Sequence, residues 1–352
     1  MRVALIASPF IPVPPRHYGG TELFIANLAE ALMDLGVEVA VYTNGQSTVN
    51  ADVRWCYAEA QWPLPSEFIG VSKEVNHAAW AVSEAQKECD IIHISSSLAV
   101  PLAGLSSRPF VCTLHHPCEP LLTELYERNS AVTYVAISRH QASRQPAMAP
   151  AVIHHGVDID RYPFVAKKEP YLCFLGRICP IKGTHHAIEI ARRAGLPLKI
   201  AGEVQPIFKD YFDREILPFI DGDRVQFLGD ADFALKADLL SHATALLFPI
   251  AWDEPFGLVM IEAMACGTPV IALPGGAVEE VVRDGVSGKV CGSVAQAAAS
   301  VLRDVFDPAA IRCYAREHFS SRAMARQYYR LYSELLGKDD PDQLLNREEA
   351  VA

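Results

Sequence analysis

MRVALIASPFIPVPPRHYGGTELFIANLAEALMDLGVEVAVYT, residues 1–43, reads as strand, helix, strand. Val3 to Ala7 is a short apolar run of the kind a strand shows when both its faces are covered. A proline-rich loop follows. From Thr21 the apolar residues Phe24, Leu28, Ala31, Leu32 and Leu35 return at helical spacing, and Gly36 closes the helix. Val37 to Thr43 is then a second strand. The first ten residues have the charge and apolar run of a short signal peptide, but Pro9, Pro12, Pro14 and Pro15 follow without a small-residue cleavage site, so a buried strand of a cytoplasmic protein is expected.

The pattern continues outward. IIHI at 91–94, FVCTL at 110–114, AVTYVAI at 131–137 and Ala151 to Ile153 are further short apolar runs between loops or helical stretches. From Tyr171 the alternation begins afresh. Strands are expected at 171–175, 198–201, 225–228, 245–249 and 270–273, with helices at 185–194 and 258–265. Near-continuous apolar strands alternating with helices imply parallel sheets covered on both faces. The expectation is a first domain over 1–162, a proline-flanked linker within 162–170, a second domain over 170–319 and a closing helix at about 320–336 that returns to the first domain. The tyrosine stripe Tyr328, Tyr329, Leu331, Tyr332 and Leu335 marks that helix as a packing element. A polar tail occupies 337–352. No short internal repeat is present.

Composition narrows the function. The 352 residues carry a net charge of −11, with 50% hydrophobic and 21% charged residues, which suits two buried cores and disfavours disorder or a nucleic-acid partner. The uncharged apolar stretch Ala243 to Trp252 is about half of the roughly 20 residues that span a bilayer. The nine cysteines include no C-x-x-C pair and are expected as reduced, buried core thiols.

In open α/β sheets, ligands sit beyond the carboxyl ends of the strands, so chemistry is sought in the loops after Ala7, Leu114, Leu175, Ala201 and Pro249. After the first strand, Gly19 and Gly20 open a helix. They either let backbone N–H groups approach a phosphate or simply permit a turn. No G-x-G-x-x-G fingerprint occurs, which argues against a nicotinamide dehydrogenase. GRICPIKG at 176–183 places Arg177 and Lys182 between a strand end and a helix start. The two cations suit a diphosphate, or are solvated surface charges. WDEPFGLVMIEAMACGTPVIA at 252–272 holds Glu254 in a loop and Glu262 eight residues on, inside an apolar helix. A carboxylate there needs a partner: sugar hydroxyls, or a buried Lys or Arg.

This segment resembles the E-x7-E signature of the retaining glycosyltransferases of family 4 (glycosyl transferases group 1), which have the GT-B fold. Further landmarks fit in the same order: GGTE at 19–22, TLH at 113–115, AIS at 136–138, HGVD at 155–158, GRICPIKG at 176–183, AGE at 201–203, FLG at 227–229 and GGAVEEVVRDGVSG at 275–288. The resemblance runs to about Leu336. It implies an α/β chain of two facing Rossmann-like domains with parallel sheets and an interdomain cleft.

The resemblance also implies roles. Glu262 holds the nucleotide's ribose hydroxyls, Glu254 faces the donor sugar, and backbone amides around Phe256, Gly257 and Leu258 contact sugar and phosphate. Arg177 and Lys182 neutralise the diphosphate leaving group, Gly20 meets the phosphate through its backbone, and His115 lies near the transferred sugar; His116 is the weaker match. Gly202, Glu203 and Leu228 belong to the donor side. His155 stands where the family usually has Asn and receives no role, and Asp158 is a loop or cap residue. No metal is required. The strings Asp158/Asp160, Asp221/Asp223 and Asp230/Asp232 are expected as turn carboxylates.

The implied reaction moves a hexose from a nucleotide diphosphate sugar, UDP-glucose first and GDP-mannose second, to an acceptor hydroxyl with retention. A nucleotide-sugar epimerase of the same fold and a non-catalytic nucleotide-sugar binder are the alternatives. Residues 1–160 carry a balance of −7, which disfavours attachment to an anionic bilayer and favours a soluble small-molecule or saccharide acceptor. Trp55, Trp62 and Trp80 either line an acceptor pocket or serve packing.

Overall fold

The computed structural model describes residues 1–17, 19–145 and 148–338. The tail, from residue 339, lies outside them. The chain divides into two units, one built from Met1–Pro15, Gly19–Gly156 and the segment beginning at Ser321, the other from Val157–Ser320 together with Arg16 and His17.

The first unit runs β1 (Arg2–Ile6), α1 (Gly20–Asp34), β2 (Glu38–Asn44), β3 (Asp52–Tyr57), α2 (Glu67–Glu88), β4 (Ile91–Ile94), β5 (Phe110–Leu114), α3 (Pro120–Arg128), β6 (Thr133–Ala136), α4 (Arg139–Ser143) and β7 (Ala151–Val152). The seven strands form one parallel sheet in the order β3-β2-β1-β4-β5-β6-β7. The order reverses beside β1, so the loop after β1 opens at the switch point of the sheet.

The second unit follows with β8 (Glu169–Leu175), α5 (Thr184–Ala194), β9 (Leu198–Ala201), α6 (Lys209–Tyr211), β10 (Val225–Phe227), α7 (Phe233–His242), β11 (Ala243–Phe248), α8 (Leu258–Ala265), β12 (Val270–Ala272), α9 (Val278–Val281), β13 (Gly288–Val290), α10 (Val294–Arg303) and α11 (Pro308–Phe319). Its parallel sheet has the order β10-β9-β8-β11-β12-β13. α12 (Ser321–Leu335) then packs against α1 in the first unit. Each unit is a Rossmann-like α/β layer.

Period-two alternation builds the two faces of the first sheet. Val3, Leu5, Val39 and Val41 face Phe24, Leu28 and Leu32 of α1 and Met324, Tyr328 and Tyr332 of α12. Their neighbours Ala4, Ile6, Ala40, Tyr42, Ile92 and Ile94 turn the other way, onto Ala78, Ala81, Val82 and Ala85 of α2. The tyrosine stripe is thus core, as its spacing indicates. In the second unit Leu172, Phe174, Leu198, Ile200 and Leu247 pack on Ile188 and Ala191 of α5 and Ala297 of α10.

Two residues of the stretch read as a linker are anchored in the second unit. Tyr162 is buried, and Lys168 Nζ donates to Ser241 O, Cys266 O and Thr268 Oγ1 at 2.8, 3.0 and 2.8 Å. The cysteine expectation needs correction. All nine are free and six are buried, but Cys118 is half-buried, and Cys56 and Cys313 are exposed, on the outer strand β3 and on the solvent face of α11.

Candidate active site

In the second unit the ends of β8, β9 and β11 are drawn together by backbone. Gly176 N donates to Ala201 O at 3.1 Å, Gly202 N to Gly229 O at 2.8 Å, Ile178 N to Glu203 O at 2.9 Å and Ala251 N to Ile181 O at 2.8 Å. Two glycines make this approach possible. A Cβ on Gly183, whose φ is +75°, would lie 1.9 Å from Pro249 O, and one on Gly202 would lie 1.8 Å from Gly176 O. Arg177, Lys182, Gly202 and Glu203 therefore emerge from adjoining loops. Arg177 is half-buried, Gln205 Nε2 donates to Glu203 Oε2 at 3.2 Å, and Leu228 N donates to Ile200 O at 2.8 Å with its side chain outward.

Glu254 sits in the loop after β11. Lys182 Nζ donates to its Oε2 at 2.5 Å, Trp252 Nε1 donates to the same oxygen at 2.9 Å, and the ammonium also stands 4.8 Å from the Trp252 ring centre. Lys182 thus pairs with a carboxylate, a bond that the reading of it as a diphosphate cation did not include. Ala277 N donates to Glu254 O at 2.9 Å, which ties the loop to GGAVEE. Phe256 is a core ring against Phe319. Gly257 and Leu258 stand at the start of α8, the position from which helix N–H groups face a ligand.

Glu262 lies inside α8 and is buried. Its Oε1 accepts from Tyr162 OH at 2.8 Å and from Lys236 Nζ of α7. Of the two partners the sequence left open, the structure shows the ion pair. Burial and the Glu262 charge hold the Tyr162 phenol in its neutral form. Arg312 of α11 fixes Tyr162 by donating to Tyr162 O, Ala265 O and Ile159 O at 2.8, 2.8 and 3.0 Å. The sequence alone assigns Lys236 and Arg312 no role and Tyr162 only a place at the linker. Tyr162 and Lys236 stand 100 and 26 residues from Glu262, and no local pattern marks them.

In the first unit, α1 begins at Gly20. One turn on, Phe24 meets the rings of His115, edge-on at 4.9 Å, and of His155 at 4.8 Å. His115 follows β5 and His155 follows β7; their rings stack at 5.3 Å with an interplanar angle of 16°. Burial, helped by neighbouring His116, pushes the His115 imidazole down to about 3, and its buried Nε2 has no partner among the described residues. His116 is engaged instead, with Nδ1 2.7 Å from Pro117 O and Nε2 2.5 Å from Tyr126 OH. Gln141 of α4 holds this loop. Its Nε2 donates to Leu114 O at 3.0 Å and to His116 O at 2.7 Å, and its Oε1 accepts from Ile137 N at 2.8 Å. Beside the stack runs a buried hydrogen-bonded row, Tyr332 OH, His93, Thr113 Oγ1 and Tyr328 OH, each link 2.7 Å. Near Gly20, buried Glu22 accepts from Ser8 Oγ at 3.2 Å, and burial pushes its carboxyl up.

Three aspartates of the D-x-D strings make local bonds. Asp158 accepts from Asp160 N and Asp232 from Leu235 N as N-caps, and Asp221 accepts from Asp223 N and Val225 N in a turn, whereas Asp160 pairs at 2.6 Å with Arg316, 156 residues on. Among the described residues no three His, Cys, Asp or Glu side chains gather as a metal site, and no helix is long and apolar enough to cross a membrane. Trp80 packs on Tyr42 and His77, whereas Trp55 and Trp62 are half-exposed.

Residues 158–320 match the family Glycosyl transferases group 1, and residues 18–161 match Glycosyltransferase Family 4. The glycogen synthase of Mycobacterium tuberculosis is 30% identical over 64% of this chain and 63% of its own length, so the chain spans less than two thirds of that relative. The phosphatidyl-myo-inositol mannosyltransferase of Propionibacterium freudenreichii is 27% identical over 93% of this chain and 91% of its own. Among solved structures, AviGT4, a glycosyltransferase involved in avilamycin A biosynthesis, superposes with a TM-score of 0.74 at 26% identity, covering 96% of this chain and 98% of that one. Anabaena Alr3699/HepE in complex with UDP and glucose shares the fold, with a TM-score of 0.72 at 21% identity over 95% and 100% of the two chains.

Proposed function

From the premise that the chain belongs to the group 1 glycosyltransferases of GT-B fold, we propose that it transfers a hexose from a nucleotide diphosphate sugar to an acceptor hydroxyl with retention, without a metal. In this reading the bond from the anomeric carbon to the diphosphate oxygen breaks, and the acceptor oxygen bonds to that carbon on the same face. The acceptor proton passes to the departing phosphate oxygen, so no protein nucleophile is needed. Arg177 and Lys182 meet the charge that grows on the leaving group, which is where preorganised cations contribute most. Glu262 takes the ribose hydroxyls, Glu254 orients the hexose, and the amides at Phe256, Gly257 and Leu258 face sugar and phosphate. Gly202, Glu203 and Leu228 border the base, while Gly20 and His115 belong to the phosphate and sugar on the first unit.

The observation that carries this reading is the pair of buried carboxylates eight residues apart, Glu254 and Glu262, each matched to a lysine. Such pairs hold both carboxylates in place as hydrogen-bond acceptors for hydroxyls. UDP-glucose is the first donor proposed, supported by the UDP and glucose bound to HepE; GDP-mannose is second. A soluble acceptor is supported by the acidic balance of residues 1–160, and a cytoplasmic site of action by the nine free cysteines.

A thermal-shift panel of UDP, GDP and ADP, each free and as its hexose conjugate, tests the donor. At least one raises Tm; if none does, the proposal fails. Glu254→Gln and Lys182→Ala each remove most transfer and donor hydrolysis, and wild-type turnover in either would refute the roles assigned. Incubation with donor alone releases nucleoside diphosphate and free hexose, whereas an epimerised donor would mark a different enzyme.

A further inference from the structure

His155 is the clearest departure from the family pattern, and the structure makes it a neighbour of a residue assigned to the ligand. β5 and β7 flank β6, so the loops carrying His115 and His155 leave the same end of the sheet two strands apart. The His155 ring is buried, lies nearly parallel to that of His115, and shares with it the Phe24 ring. His115 is clamped between an aromatic face and an aromatic edge, while its buried Nε2 has no partner among the described residues. A buried ring nitrogen left open costs free energy until something hydrogen-bonds to it.

We propose that His155 is a positioning residue, whose stacked ring fixes the orientation of the His115 imidazole and keeps it uncharged, ready to exchange a hydrogen bond with a hydroxyl of the transferred hexose. The hydroxyl half of this inference rests on the assignment of His115 to the sugar; the holding of the ring does not. A neutral imidazole offers one donor and one acceptor, whereas the charged ring only donates. Burial first, and then His116, favour the neutral form of His115. His93 on β4, His116 in the same loop and His155 across the stack face His115, with His154 beside His155 and Tyr328 of α12 behind His93. Burial pushes His93 down to about 3, and His155 well below the ordinary range. Asn at 155 would supply an amide but no ring face.

The test uses the full chain with 13C-labelled histidine rings, following the His115 signal, identified by its loss in His115→Ala, from pH 5 to 8. In the wild type it does not titrate. In His155→Ala and His155→Asn it titrates, with a midpoint moved toward the ordinary value near 6.5. In His155→Phe it again does not. A silent His115 signal in His155→Ala, or titration in His155→Phe with unchanged Tm, would overturn the proposal. UDP-glucose hydrolysis, or GDP-mannose hydrolysis if that is the donor turned over, adds the second arm. His155→Ala lowers kcat by roughly two- to tenfold, the scale of one lost aromatic contact, with KM for donor unchanged, and His155→Phe restores it. In a His115→Ala background the same change has no further effect. Additive losses would refute positioning. Full turnover by His115→Ala would instead sink the sugar assignment and leave the ring-holding result standing.

Discussion

The ion pair between Lys182 and Glu254 can be dissected with Lys182→Met, Glu254→Gln and the double variant. The two side chains are 14% and 9% exposed, so solvent screens the pair only slightly. Removing one member leaves a partly buried charge without its counter-charge, a loss of several kcal/mol in a fully buried pair. Here Trp252 Nε1 still finds an oxygen in Glu254→Gln, and the lysine retains some water, so about 2 kcal/mol per single variant is expected. For a unit of this size that lowers Tm by about 4–8 °C. The double variant has no lone charge and should recover about 1 kcal/mol relative to the sum of the singles. Thermal unfolding followed by tryptophan fluorescence reads all four proteins, since Trp252 lies against the pair. Repeating the scans with saturating UDP separates the two tasks of Lys182: Lys182→Met loses most of the UDP-induced rise, and Glu254→Gln keeps it. Singles within 1 °C of wild type, or strictly additive losses, would show that the pair is not formed in the ligand-free protein.

Thr113→Val strips the shared partner from His93 and Tyr328 and should cost about 1–3 kcal/mol, read by urea unfolding. Thr113→Ser should be milder. Arg312→Lys cannot reach three carbonyls at once and should weaken UDP binding through Tyr162 and Glu262, measurable by calorimetric titration; unchanged affinity would detach that carboxylate from the nucleotide. Acid should destabilise the protein through His77, His93 and His115, pushed down to about 4, 3 and 3 by burial. Their folded values lie below the unfolded value near 6.5, so their stabilising contribution is present above pH 6.5 and is lost as pH falls toward the folded values. Three such groups give up to about 4 kcal/mol between pH 7.5 and 5.5. Glu22 and Glu74, raised by burial, act in the opposite sense and keep the fall in Tm below that ceiling. A Tm unchanged between these two pH values would contradict the buried, neutral state of the three rings.

The strands at the centres of the sheets were legible because both their faces are covered, which forces apolar runs such as IIHI and FVCTL. β3 escaped notice for the opposite reason. It is an edge strand, DVRWCY, with little of its surface buried. α2 was also missed. Its buried residues are mostly small, Gly70, Ala78, Ala81, Val82 and Ala85, with the polar His77 among them, and Phe68, Val71 and Val75 on the same helix are exposed, which blurs the amphipathic stripe. At the site, Glu262 announced itself as a carboxylate too expensive to bury without a partner, and Glu254 by its place in the loop after a buried strand. The lysines and the tyrosine that meet them come from other elements, as does the ring stacked on His115. Long-range partners leave no local spacing to read.

The placement of α12 has a consequence for how the chain is made. Apart from a short stretch at Arg16, the second unit runs unbroken from Val157 to Ser320, whereas the first needs Tyr328 and Tyr332, more than two hundred residues after the strands they cover. During synthesis, amino-terminal segments usually settle first. Here β1 and α1 leave the ribosome with one apolar flank bare, and it stays bare until almost the whole chain has been translated. The later-made half can mature before the earlier one. Removing residues from Ser321 onward would then yield a nascent first half prone to chaperone capture and aggregation, beside a second half able to fold.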